Sequence, residues 1–229
     1  MLICGKNVVK ELLKNGSKIN KCYISRDFND DEILNGIYEI NSTIKDKREL
    51  DNMMDHNQGI IVDIDDYQYC DLNDIINISD QPLIVMLDHI EDPHNFGAII
   101  RTCEAASVDG IIIPKDRSVE VNSTVMKTSS GALINMKIAM VSNLVDTITK
   151  LKKEGYWIIG LDMDGRDYNT IDYNMPIVLI IGNEGEGIKQ LTRKNCDIIS
   201  SIPMKGKINS LNASVASGVM IYQILNKRK

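Results

Sequence analysis

The chain has 229 residues and a formal net charge of −6, a length that suits one large domain or a large domain with a small one. No stretch approaches the roughly 18 apolar residues of a membrane-spanning helix, and the first residues lack the apolar run of a signal peptide. We therefore expect a soluble, cytoplasmic protein. The five cysteines are odd in number and form no CxxC pair, which argues against a disulfide framework or a zinc knuckle.

The acidic charge is concentrated in one early segment. Residues 1–26 carry six basic side chains and one acidic one, residues 27–82 carry 15 acidic and 3 basic ones, and the rest is nearly balanced. This change of composition divides the chain. We predict a small α/β domain over residues 1–66, an acidic linker over 67–81 and a larger domain over 82–229.

The spacing of apolar residues predicts the elements of both domains. The small domain should contain a helix and two strands, at residues 7–15, 21–24 and 59–64. In the larger domain we predict strands at 83–88, 110–114, 136–141, 156–162 and in the run 177–185. Predicted helices at 95–107, 122–129 and 142–153 alternate with the first four of them. Such alternation indicates an α/β fold with a mostly parallel sheet and helices on both faces. Ligands of such sheets bind at the carboxyl ends of the strands.

The first of three unusual segments follows the strand at 83–88. Arg101 lies among apolar and small residues of a predicted helix, for which Asn95 is a plausible N-cap. A guanidinium is rarely buried without a partner. Arg101 is therefore either a functional group or one half of a structural salt bridge to Glu104 or Glu184.

The same loop carries several side chains that could bind a metal ion. They are Asp88, His89, Glu91, Asp92 and His94. Adjacent residues on a loop point in different directions, and no metal-site spacing such as HExxH is present. We predict no metal site.

The second and third segments combine small residues with turn or capping residues. In "IGNEGEG", Gly182, Gly185 and Gly187 permit close approach of a ligand to the main chain, although a tight turn would explain them equally well. In "SLNASVASG", Ser210 and Asn212 are both good helix caps. The small residues that follow suit either a ligand or dense helix packing.

Together, "NFGAIIR", "IGNEGEG" and "SLNASVA" occur in this order in the larger domain. They resemble the three motifs of the SpoU/TrmH class of the SPOUT superfamily, which are RNA ribose 2'-O-methyltransferases that use S-adenosylmethionine. The stretches "GKNVVKELLKNG" and "HNQGIIVDI" look like the start and end of the small L30e-like RNA substrate-binding domain of bacterial 23S rRNA guanosine 2'-O-methyltransferases.

This resemblance implies a trefoil knot near the C-terminus, in contrast to the usual absence of knots, and a homodimer formed through the larger, catalytic domain. It also implies that 23S rRNA is the substrate. Two alternatives stay open: a tRNA ribose 2'-O-methyltransferase of the same class, and a non-catalytic RNA-binding or assembly protein.

The resemblance further implies roles for individual residues. The implied catalytic and substrate-orienting residues are Asn95, Arg101, Glu184, Ser210 and Asn212. The implied cofactor-binding residues are Leu161, Gly182, Asn183, Gly187, Ile202, Met204, Leu211 and Asn212. Arg101 would activate the ribose hydroxyl; because a guanidinium normally stays protonated, we expect it to orient the hydroxyl and to stabilise the developing alkoxide.

RNA binding must overcome the acidic balance of the chain. Lys6, Lys10 and Lys14 recur every four residues, which places three ammonium groups on one helix face. We predict an RNA-binding stripe there, with a merely solvated face as the alternative. Further positive charge comes from Lys205, Lys207, Lys227, Arg228 and Lys229.

Overall fold

The structure is a computed structural model that describes Met1–Arg228. The strands in chain order are β1 (Leu2–Cys4), β2 (Ile19–Ser25), β3 (Ser42–Lys45), β4 (Ile60–Ile64), β5 (Leu83–Asp88), β6 (Gly110–Pro114), β7 (Ile138–Val141), β8 (Trp157–Asp167), β9 (Ile177–Gly182) and β10 (Ile198–Ser201). The α-helices are α1 (Lys6–Lys14), α2 (Asp31–Gly36), α3 (Lys47–Met53), α4 (Pro93–Ala105), α5 (Ser123–Thr128), α6 (Leu144–Lys153), α7 (Gln190–Lys194) and α8 (Ala213–Lys227).

The chain forms two compact units whose limits differ from the predicted domains in one segment. Unit 1 comprises Met1–Gln68 together with Val121–Asn135, and unit 2 comprises Tyr69–Glu120 and the chain from Met136 onwards. The sequence predicted the helix at 122–129 as part of the larger domain. The functional domain limits of 1–66, 67–81 and 82–229 stay a prediction.

Specific contacts explain why the segment with α5 belongs to unit 1. Lys127 Nζ donates to the carbonyl oxygens of Asp55 and His56, at 3.2 and 3.4 Å. Asn135 Nδ2 donates to Glu11 Oε1 at 3.3 Å. Gly131 approaches α1 so closely that an added Cβ would lie 2.9 Å from Glu11 Cβ. These partners are distant in sequence, so apolar spacing gives no sign of them.

Unit 1 is built on a four-stranded mixed sheet in the order β1-β4-β2-β3. Strand β4 is antiparallel to both β1 and β2, whereas β2 and β3 are parallel. The predicted helix at 7–15 and the predicted strands at 21–24 and 59–64 correspond to α1, β2 and β4. These three predictions are confirmed.

Unit 2 contains a six-stranded sheet in the order β10-β8-β9-β5-β6-β7, and every neighbouring pair is parallel. Ile84 and Val178 face a core that includes Leu144 and Ile148 of α6. Successive side chains of a strand point to opposite faces. The alternate residues of β5 and β9 therefore face the other side of the sheet, where α8 contacts both β9 and α4. The predicted parallel sheet flanked by helices is confirmed; the trefoil knot stays a prediction.

The predicted start of α4 at Asn95 is wrong. The N-cap is Asp92, whose carboxylate accepts hydrogen bonds from the backbone N–H groups of His94 (3.0 Å) and Asn95 (3.3 Å). Pro93 occupies the first helical position, which suits proline because that position has no intrahelical use for an N–H. Asn95 therefore lies inside the first turn, where its side chain is free of the capping role.

None of the helices within Met1–Arg228 combines the length and the apolar character that crossing a membrane requires.

Candidate active site

A cavity of about 710 Å³ opens in unit 2 beside the middle of β8, where β9 and β10 end and α8 begins. It is lined by Leu161, Asp162, Met163, Ile181, Gly182, Asn183, Glu184, Gly185, Glu186, Gly187, Ser201, Ile202, Pro203, Met204, Asn209, Ser210, Leu211, Ala213 and Ala216. All predicted cofactor-binding residues except Asn212 are in this lining. Of the other predicted catalytic residues, Glu184 and Ser210 line the cavity, and Asn95 and Arg101 do not.

The glycine segment after β9 is both a tight turn and a wall of the cavity. Asn183 and Gly187 exchange two backbone hydrogen bonds, at 3.1 and 2.8 Å, and Gly187 has a φ of 67°. The side chain of Asn183 accepts from the N–H of Gly185 at 2.9 Å. Gly182 faces this turn so closely that an added Cβ would lie 2.1 Å from the carbonyl carbon of Gly187. The tight turn is therefore confirmed, and the approach of a ligand to this main chain stays a prediction.

Two side-chain amides join the glycine turn to the segment that follows β5. Asn95, only 8% exposed, donates from Nδ2 to Glu184 Oε1. Asn183 donates from Nδ2 to the carbonyl oxygen of His89 at 2.9 Å. The first and second segments are thus held together at the carboxyl ends of β5 and β9.

The fully buried carboxylate of Asp88 adds a third connection. It contacts His89 Nδ1 at 2.5 Å and accepts from the backbone N–H of Lys189 at 2.8 Å. Both oxygens therefore serve the architecture of these loops. Among the described residues, no group of three or more His, Cys, Asp or Glu side chains is arranged to hold a metal ion.

Asn212, one of the two residues predicted as a helix cap, is the N-cap of α8. Its Oδ1 accepts from the backbone N–H groups of Ser214 and Val215, at 2.9 and 3.4 Å, and from the Ser214 hydroxyl at 2.6 Å. Ser210, the other candidate, is exposed in the preceding loop, where it lines the cavity. The capping prediction is confirmed for Asn212.

The small residues of α8 have two different surroundings. Ala213 and Ala216 line the cavity. Ser217 is fully buried and donates to the Ala213 carbonyl at 2.6 Å, and a Cβ on Gly218 would lie 3.7 Å from Thr102 Cγ2 of α4. Helix packing therefore explains part of this composition, and the other part lines the cavity.

Arg101 is exposed on α4, although its apolar neighbours in sequence suggested burial. Ile99, Ile100 and Cys103 are fully buried, because they lie on the inner face of the helix while Arg101 lies on the outer one. The guanidinium is therefore accessible to a large substrate.

The lysine stripe of α1 is partly neutralised within unit 1. Lys10 Nζ lies 2.6 Å from Glu32 and 3.3 Å from Asp30, and its hydrogen bond to Glu32 raises the pKa of its ammonium group. Lys6 donates to the carbonyl of Asn29 at 3.2 Å. Lys14 is 78% exposed and lies 3.9 Å from Glu11, so it keeps the most solvent-accessible charge of the three.

The other predicted basic residues divide into two groups. Lys205 and Lys207 are exposed in the loop before α8. Arg228 instead donates to four backbone carbonyls, those of Tyr173, Gln81, Pro82 and Met175, at 2.6 to 3.2 Å. Its guanidinium thus fastens the segment after α8 to unit 2 and contributes little to a basic surface. Lys229 lies outside the described residues.

The comparisons with known families cover nearly the whole chain. Residues 82–222 match the SpoU rRNA Methylase family, and residues 2–70 match the family described as RNA 2'-O ribose methyltransferase substrate binding. YacO of Bacillus subtilis (strain 168), assigned to the TrmH family of tRNA/rRNA methyltransferases, is 37% identical over 99% of this chain and 95% of its own length.

Solved structures extend the similarity to the fold. The AdoMet-bound rRNA methyltransferase from Sinorhizobium meliloti gives a TM-score of 0.82 at 25% identity, over 98% of this chain and 86% of that one. The A. aeolicus TrmH/SpoU tRNA modifying enzyme gives a TM-score of 0.59 at 29% identity, over 68% of this chain and 80% of that one. The chain belongs to the SpoU rRNA Methylase family and is an S-adenosylmethionine-dependent RNA 2'-O-methyltransferase.

Proposed function

We propose that this enzyme methylates the ribose 2'-hydroxyl of a guanosine in 23S rRNA, in the cytoplasm. The similarity to the S. meliloti rRNA methyltransferase spans 98% of the chain, including the small N-terminal domain, whereas that to the A. aeolicus tRNA modifying enzyme spans 68%. A dedicated substrate-binding domain favours a large folded RNA. The runner-up is methylation of tRNA, which the tRNA/rRNA assignment of YacO keeps open.

The observation that carries the proposal is the meeting of the second and third segments at one cavity. S-adenosylmethionine, when bound, supplies an electrophilic methyl group on a positively charged sulfonium. The cavity suits it: three glycines of the lining, Gly182, Gly185 and Gly187, add no side chain to the wall, and the charged side chains among the described lining residues are Asp162, Glu184 and Glu186. An anionic cofactor would require basic groups there.

Predicted cofactor-binding residues then divide by the part of the cavity they form. Leu161 lies in β8, and Gly182, Asn183 and Gly187 lie at the end of β9 and in the glycine turn. Ile202, Met204 and Leu211 belong to the loop between β10 and α8. Asn212 would act indirectly, because its capping bonds orient the first turn of α8 toward the cavity.

The substrate hydroxyl is handled by polar side chains around the cavity. The Asn95–Glu184 pair fixes the glycine turn against the start of α4, and Ser210 presents a hydroxyl in the lining. Arg101 donates hydrogen bonds to the ribose 2'-oxygen and stabilises its developing negative charge. Because the guanidinium stays protonated, the proton passes to a substrate phosphate or to water.

We also propose a homodimer formed through unit 2. Val215, Val219 and Tyr222 are exposed on α8 and are spaced by four and three residues, so they share one apolar face of the helix. A second copy that covers this face would remove it from water. Sedimentation equilibrium should then give a mass of about twice 25.7 kDa.

The function is tested by transfer of labelled methyl from S-adenosylmethionine to purified 23S rRNA and, separately, to tRNA, with nuclease mapping of the product. We expect 2'-O-methylguanosine in 23S rRNA. Label in tRNA alone would overturn the substrate and retain the chemistry. Label in neither, despite cofactor binding, would require an assembling ribosomal particle as the next substrate to assay.

A further inference from the structure

The middle of β8 departs from its neighbour β10 beside the cavity. In the pairing of β8 with β10, Ile199 is opposite Gly160, and the next residue, Ser200, is opposite Arg166. The five residues between them, 161–165, therefore have no register partner in β10. We call this segment the β8 excursion. It brings Asp162 and Met163 into the cavity lining, as bulges near active sites commonly do.

The β8 excursion is fastened from outside by one arginine. Arg193 of α7 binds Asp162 Oδ2 through Nη1 and lies 2.7 Å from Asp164 Oδ1 through Nη2. Its side chain is only 30% exposed, and that of Asp162 21%. A planar guanidinium held by two carboxylates restricts the orientation of both. The carboxylate of Asp162 is thus fixed in direction.

The second oxygen of Asp162 is directed along the cavity wall. Oδ1 accepts from the backbone N–H of Met163 at 2.7 Å, and a carboxylate oxygen can accept a further hydrogen bond. A Cβ added to Gly187 would lie 3.9 Å from this oxygen. Oδ1 therefore faces the glycine turn, at the edge of the space that the cofactor is proposed to occupy.

We propose that Asp162 Oδ1 accepts a hydrogen bond from a donor of S-adenosylmethionine, either a ribose hydroxyl or the ammonium group, and that Arg193 is a positioning residue that holds Asp162 for this contact. The inference rests on the proposed placement of the cofactor in the cavity. It assigns a charged side chain to a site whose other predicted cofactor residues are glycines, apolar residues and asparagines.

Isothermal titration calorimetry on the full chain tests this assignment. Asp162→Asn keeps the shape of the side chain and removes its charge. We expect it to weaken binding of S-adenosylmethionine and S-adenosylhomocysteine equally, by about tenfold or more. Asp164→Asn is the matched control, because Asp164 shares the arginine but does not line the cavity; its dissociation constants should stay within about threefold of the wild-type values.

A third ligand distinguishes the two possible donors. 5'-Methylthioadenosine keeps the ribose hydroxyls and lacks the amino-acid portion. Equal weakening of its binding by Asp162→Asn identifies the ribose, and unchanged binding identifies the ammonium group. A loss confined to S-adenosylmethionine would contradict the hydrogen bond, because the two ligands share the ribose and the ammonium group and differ only in the methyl group and the sulfonium charge that it creates.

Separate controls test whether the variants fold and whether the wild-type protein binds S-adenosylmethionine. Thermal melting without ligand should match for Asp162→Asn and Asp164→Asn; if Asp162→Asn does not fold, Arg193→Gln, which keeps Asp162 but frees it, should weaken binding by about threefold to tenfold. Wild-type protein that binds no S-adenosylmethionine would refute the proposed function. Wild-type binding that Asp162→Asn leaves unchanged would refute this inference alone.

Discussion

Gly182 joins the backbone geometry of the glycine turn to the proposed cofactor site. An added Cβ would lie 2.1 Å from the carbonyl carbon of Gly187 and 2.3 Å from the backbone nitrogen of Ile188. Both are backbone atoms of a turn closed by two hydrogen bonds. Relief of the clash therefore requires the turn itself to move, and with it the cavity wall.

We predict that Gly182→Ala destabilises the protein by about 1–3 kcal/mol, the usual cost of overpacking, and abolishes measurable cofactor binding. The matched control is Gly185→Ala in the same turn, where the nearest atom to the new Cβ would be Asn183 Oδ1 at 3.5 Å. Urea denaturation and calorimetry measure the two effects. Normal cofactor affinity in a folded Gly182→Ala variant would contradict the proposed cofactor site.

Replacement of Arg101, also a single-residue change, tests the proposed chemistry of methyl transfer. Arg101 is exposed on α4, so truncation leaves no cavity in the core and should change stability by less than about 0.5 kcal/mol. We predict that Arg101→Ala binds S-adenosylmethionine with wild-type affinity and loses methyl transfer by about 10²- to 10³-fold, as expected for removal of a donor to a developing anion. Single-turnover transfer of labelled methyl measures the loss, and an active variant would remove Arg101 from the mechanism.

At the scale of elements, burial decides which predictions from sequence succeed. The strands of unit 2 are continuous apolar runs because both faces of a parallel sheet are covered, and the parallel order follows from their alternation with helices. The predicted start of α4 was wrong because Asp92 and Asn95 are both residue types that cap helices, and Pro93 favours the earlier start. The spacing of apolar residues alone does not show which of Asp92 and Asn95 is the N-cap.

Other features depend on partners far apart in the chain. The β8 excursion arises from pairing with β10, and its arginine clamp joins residues 31 and 29 positions apart. Residues of the second and third motifs form much of the cavity lining, and their binding of the cofactor stays a prediction. Asp162 carried no such local signal: Asp164 contacts the same arginine, and what distinguishes Asp162 is its place in the cavity lining.

The N-terminus of α8 allows the two capping candidates to be separated. Asn212 satisfies the N–H groups of Ser214 and Val215, so Asn212→Ala should lower the free energy of unfolding by about 1 kcal/mol. Ser210 precedes the cap and is exposed, so Ser210→Ala should cost less than about 0.5 kcal/mol. Urea denaturation at constant protein concentration compares them. Equal costs would mean that the cap alternates between the two residues.

At the scale of the whole molecule, an acidic protein must bind an acidic polymer. The sequence located a lysine stripe correctly on α1 but could not show that Asp30 and Glu32 neutralise much of it. Neutralising Lys6 or Lys10 would also leave these acids without their partners. Lys14, 78% exposed, is the position where loss of a charge can be separated from damage to unit 1.

We predict that Lys14→Gln weakens RNA binding and reduces the slope of log affinity against log salt by about 0.7 to 1, the value for one phosphate contact. Lys153→Gln is the matched control: it is exposed at the end of α6, just before the amino end of β8 and away from the strand ends that form the cavity. Filter binding to a 23S rRNA fragment at several salt concentrations gives both slopes, with cofactor affinity as the check on folding. If Lys14→Gln and Lys153→Gln have the same slope as the wild type, α1 presents a solvated face, and the RNA contacts lie elsewhere on the protein.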